Sequence, residues 1–62
     1  MRRLTKDELQ RIQIEEDMLK GNINRMCVTD DLKEMEAMRT WALSRVKRIY
    51  DINSERFDEV AK

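Results

Sequence analysis

Residues 20–31 read KGNINRMCVTDD and hold the chain's only glycine, Gly21, and its only cysteine, Cys27, followed by paired aspartates at Asp30 and Asp31. Whether this stretch is a corner or a binding loop decides the fold. An EF-hand loop needs more oxygen ligands at fixed offsets and a glycine between them, and neither is present. The aspartates instead suit the first turn of a helix, where carboxylates complement the positive end of the dipole, with Thr29 as its N-cap. The segment is therefore a corner between two helices.

Two endings compete for the helix before it. Gly21 can close a helix in a left-handed C-cap with Lys20 in the last turn. Against this, Ile23 and Met26 continue an apolar spacing of threes and fours that begins at Leu9, Ile12 and Leu19. The continuing stripe favours a helix that runs to about Met26 and carries Gly21 inside it, at about 1 kcal/mol relative to alanine. Glu16 is the one polar residue in that stripe, and pairing with Arg39 or Arg45 across the helices would set register.

The start of helix 1 is marked by two coupled signals. Thr5 and Glu8 form a capping box, and Leu4 and Leu9 occupy the two positions of a hydrophobic staple. The five apolar residues of the stripe span about 100°, enough for one neighbour. Ile14 and Met18 form a smaller patch on the other side.

After the corner there is no glycine or proline, and only Asn53 and Ser54 interrupt a helix read over about 30–60. Its apolar side chains cover about 200° of the wheel, more than one neighbour can bury. One register is Leu32, Met35, Ala42, Val46 and Ile49, a second is Leu43, Val46, Tyr50, Phe57 and Val60, and Met38, Trp41 and Ile52 widen the opposite flank. The cheapest second cover is another copy of the same chain.

The fold expected is all-α: a single antiparallel two-helix hairpin over 1–62, with helix 1 about 6–26, a turn about 27–30 and helix 2 about 30–60. Coiled-coil-like pairing of two such hairpins would make a homodimeric four-helix bundle. A chain of 62 residues buries only about 60% of its unfolded surface and is marginal as a monomer. With one cysteine and no histidine, neither an internal disulfide nor a zinc site can staple it, which leaves association.

Charge and composition narrow the function classes. Lysine plus arginine and aspartate plus glutamate are 13 each, so net charge implies no bulk attraction to nucleic acid or membrane. No apolar run approaches the roughly 20 residues of a membrane span, and no secretory segment is read at the start. With a lone thiol, the expected compartment is the cytoplasm. No catalytic residues, metal ligands or cofactor are assigned: the Glu15–Asp17 cluster lacks a histidine partner, Glu15 and Asp17 read as a solvated face, and no phosphate loop or nucleophile constellation is present. An enzyme with a small-molecule substrate is not expected. Cys27 reads as a partly buried small apolar residue, and four internal methionines read as core filling.

The function expected is that of a small non-enzymatic protein-interaction or accessory module. Its partner or dimer surface is read as Met38, Trp41, Arg45, Ile52, Phe57 and Val60. The competing reading uses Arg45, Lys47 and Arg48, in a segment from Arg39 to Tyr50 that contains no acid, to contact RNA or DNA phosphates. In size and inferred hairpin the chain resembles the small RNA-binding regulators of plasmid copy number, which are two-helix hairpins that dimerise into four-helix bundles. The resemblance is one of architecture, carried by no shared motif, and implies only that such a scaffold can bind RNA.

Overall fold

The computed structural model describes residues 2–58, with nothing described of the Asp58 side chain. Two helices, α1 (Lys6–Val28) and α2 (Leu32–Asp58), pack antiparallel as a hairpin. Val60 lies outside the described residues, as does the rest of the expected helix beyond Asp58.

The capping box closes as its spacing demands. Glu8 N–H donates to the Thr5 hydroxyl at 3.1 Å, and Thr5 N–H donates to the Glu8 carboxylate at 2.9 Å. Arg2 adds a two-pronged contact, its Nη1 and Nη2 donating to the two Glu8 oxygens at 2.7 and 2.8 Å. Glu8 is consequently buried. α1 then runs through Gly21 without interruption, and no described residue has positive φ.

The corner differs in detail from the sequence expectation. Thr29 is not the N-cap of α2 but the C-cap of α1, its N–H donating to the Arg25 carbonyl at 3.0 Å. Asp31 caps α2: its carboxylate accepts from Lys33 N–H at 3.0 Å, and its carbonyl accepts from Met35 N–H at 2.9 Å. The Thr29 hydroxyl accepts from Asp31 N–H at 3.2 Å, which tightens the turn between them. The aspartates thus lie before the helix rather than in its first turn. A carboxylate reaches the N2 amide as readily as a threonine hydroxyl does, so the later of two capable residues took the position. Because α1 extends to Val28, Cys27 stands on the helix surface and is exposed, not partly buried.

The hairpin is one layer, 48 × 20 × 12 Å, and its thinnest dimension is the diameter of a single helix. No described side chain on either broad face is covered by a second layer. Among the described residues the buried apolar ones are Ala42 and Ile52, at 8% and 7% exposure.

Candidate interaction surface

The interhelical seam alternates steps of three and four on both helices, the spacing of a coiled coil. On α1 it is Glu8, Ile12, Glu15, Leu19, Asn22 and Met26; on α2 it is Met38, Ala42, Arg45, Ile49, Ile52 and Arg56, all buried or half-buried. The α1 seam shares Ile12, Leu19 and Met26 with the expected apolar stripe. It is turned by about 50° from that stripe, with Glu15 and Asn22 taking the places read for Glu16 and Ile23.

Two consequences follow from the rotation. The carboxylate that crosses between the helices is Glu15, not Glu16. Glu15 Oε2 accepts from Arg45 Nη1 at 3.1 Å, and Arg48 Nη1 lies 3.6 Å from Oε1. Glu16 pairs instead with Lys20 of its own helix at 3.1 Å. Two further ties follow the same antiparallel register: Asn22 Nδ2 lies 3.5 Å from Met38 Sδ, and the Arg25 guanidinium pairs with the Glu34 carboxylate beside the turn. The seam is only partly satisfied, since Asn22 Oδ1 and the Nε atoms of Arg45 and Arg56 are buried without a hydrogen-bond partner.

The second consequence concerns the apolar residues. Leu9 and Ile23 are displaced to one flank and are 53% and 43% exposed. On α2 the line Leu32, Met35, Arg39, Leu43, Val46, Tyr50 and Phe57 lies about 100° from the seam, on that same flank. Leu43 and Tyr50 are 63% and 69% exposed. The hairpin therefore carries a front face with large apolar side chains from both helices, broken mainly by Glu16 and Arg39. The reverse face bears Ile14, Met18 and Trp41, also exposed, beside an open groove lined by Arg11, Glu15, Arg48 and Glu55.

The residues read as a partner surface are split by this arrangement. Met38, Arg45 and Ile52 line the seam, Trp41 stands on the reverse face, and Phe57 lies on the front face. The Arg45 guanidinium stacks over the Trp41 ring at 5.6 Å, and that of Arg56 lies 5.0 Å from the Phe57 ring. The residues read as nucleic-acid contacts are each met by an acid. Arg45 and Arg48 share Glu15, and Lys47 Nζ lies 2.9 Å from Asp51 Oδ2.

Sequence reasoning missed the front face as a shared surface, although its members were visible as the second register of helix 2. The signal was there in the way Leu43, Val46, Tyr50 and Phe57 repeat without needing any seam residue. Among the described residues no group of three or more acidic, cysteine or histidine side chains converges to hold a metal, and no helix is long and apolar enough to cross a membrane.

Glu8 is the group whose acidity is most altered. The Arg2 guanidinium, followed by the Thr5 amide, holds its carboxyl down to about 2 from an ordinary 4.5. The Glu34 carboxylate likewise holds Arg25 above its usual range. Both are structural, one locking the start of α1 and the other the turn.

Compared with models of protein families, with curated protein sequences and with solved structures, the chain matches none.

Proposed function

We propose that the chain is a non-enzymatic helical interaction module that works as a homodimer, its front face closed by a second copy into a four-helix bundle. The observation that carries this reading is a division of labour. The hairpin seam holds Glu15, Asn22, Arg45 and Arg56, while Leu9, Ile23, Leu43, Val46 and Tyr50 face outward together. Monomeric proteins rarely leave a contiguous apolar patch of this kind uncovered.

Area supports the same reading. The chain exposes 5112 Å², whereas a compact folded chain of 7.5 kDa exposes about 4,250 Å². The excess, about 850 Å², reflects a single-layer shape that leaves both broad faces uncovered. Once the front face is closed, Ile14, Met18 and Trp41 on the reverse face remain as apolar residues for a further protein partner. The exposed thiol of Cys27 suits a reducing compartment such as the cytoplasm.

Sedimentation equilibrium across a wide concentration range tests the proposal. The expected result is a dimer that becomes monomeric when Leu43→Lys and Val46→Lys are combined, with helicity largely kept at high concentration. A wild-type chain that stays monomeric throughout rejects it. The nucleic-acid reading has weaker support, because Arg45, Lys47 and Arg48 already answer Glu15 and Asp51 within the chain.

A further inference from the structure

The front face has an internal symmetry that bears on how a second copy would sit. On α1, Leu9 and Ile23 stand at equal distances on either side of Glu16. On α2 six of the seven residues of the front line pair about the midpoint between Ser44 and Arg45, Leu43 with Val46, Arg39 with Tyr50 and Leu32 with Phe57, while Met35 falls opposite Ser54. The two centres are independent features of the sequence. The hairpin brings them to one height, because the ties Glu15–Arg45 and Asn22–Met38 set Glu16 level with Ser44.

An isologous interface has to be self-complementary about a twofold axis, so that residue i meets residue j and j meets i. From this coincidence we infer that two hairpins stack front to front with their turns at opposite ends, about a twofold axis perpendicular to the helices at the level of Glu16. The inference rests on the homodimer proposed above and specifies its geometry. α1 then lies antiparallel on α1 of the second copy, with Leu9 against Ile23. α2 lies antiparallel on its counterpart, with Leu43 against Val46, Leu32 against Phe57, and the Arg39 guanidinium beside the Tyr50 ring. The two Glu16 side chains meet at the axis. Each arrives with Lys20 Nζ 3.1 Å away, so two carboxylates meet together with two ammonium groups. The alternative stacking, with both turns at one end, sets each Glu16 against the apolar Leu43 and Val46 of the second copy and leaves the mirror pattern unused.

Cross-linking separates the two stackings. In a Cys27→Ser background, Glu16→Cys places one thiol on the axis, and mild oxidation is expected to convert most of the chain to a disulfide dimer. A second variant, Leu9→Cys with Ile23→Cys, is expected to do the same without altering Glu16. Leu9→Cys alone should not cross-link, because its two copies would stand about 21 Å apart along the helix direction. If sedimentation shows a dimer but neither cross-link forms, or if Leu9→Cys alone cross-links, the stacking is wrong and the homodimer stands. A monomer in sedimentation removes both.

Discussion

Arg45 Nη1 stands 3.1 Å from Glu15 Oε2, with the two side chains 16% and 17% exposed, and this contact ties the middle of α2 to the middle of α1. Its neighbours make it more than a surface ion pair. Arg48 approaches the same carboxylate, and the Trp41 ring lies against the Arg45 guanidinium. Desolvated charges of this kind contribute mainly register, because removing one partner strands the other.

Glu15→Ala is therefore expected to lower stability by about 2 kcal/mol. Replacing both residues, Glu15→Leu with Arg45→Leu, should cost clearly less than the two single changes together. Urea denaturation at one fixed protein concentration measures this. Strict additivity of the single changes would show the pair to be solvated and uncoupled.

Gly21 is expected to be a reserve of stability. It sits within α1 without positive φ, and an added Cβ would meet nothing within 4 Å. Gly21→Ala should stabilise by about 1 kcal/mol and raise the thermal midpoint by about 5 °C. A melt followed by circular dichroism decides; an unchanged or lower midpoint would mean that the glycine serves something other than the helix.

The start of α1 should lose support only in strong acid. Arg2 and Thr5 hold the folded Glu8 carboxyl at about 2, below its ordinary 4.5. Its contribution to stability is then fully present above about pH 4.5 and is lost as pH falls towards 2. Carbon-detected NMR titration of the Glu8 carboxyl should show this low midpoint. Arg2→Gln should move it back towards 4.5; a midpoint indifferent to that change would dissolve the Arg2 contact.

Asn22 holds a half-buried seam position with its carbonyl oxygen unpartnered. Asn22→Leu removes that stranded acceptor and adds apolar contact with α2, so stability should rise by about 1 kcal/mol. Chemical denaturation tests it. A loss would indicate that the amide's contact with Met38 Sδ outweighs the unpaired oxygen.

Much of the fold could be read locally. The Thr5–Glu8 box announced the first residue of α1, because capping involves atoms only three residues apart. The continuation through Gly21 was legible because Ile23 and Met26 kept the register. The corner at residues 29–31 was legible in kind, but which of Thr29 and Asp31 would cap α2 was not, since both carry side-chain oxygens suited to the role and the choice depends on where α1 stops.

What the sequence by itself determined, then, is that two amphipathic helices form, with a corner between them, and that one helix cannot cover the apolar surface of the other. Those properties depend on spacing along the chain and on caps within a turn. Only the tertiary structure decided how far each helix rotates about its own axis. Ile12, Leu19 and Met26 serve equally in a stripe with Leu9, Glu16 and Ile23 or in one with Glu8, Glu15 and Asn22. A turn of about 50° separates the two. The side chains of α2 make the selection, through Arg45 on Glu15 and Met38 on Asn22, and these lie 30 and 16 residues away in sequence. That rotation pays for a polar seam by sending Leu9 and Ile23 to the front face, where they join Leu43, Val46 and Tyr50 as the surface proposed to meet a second copy.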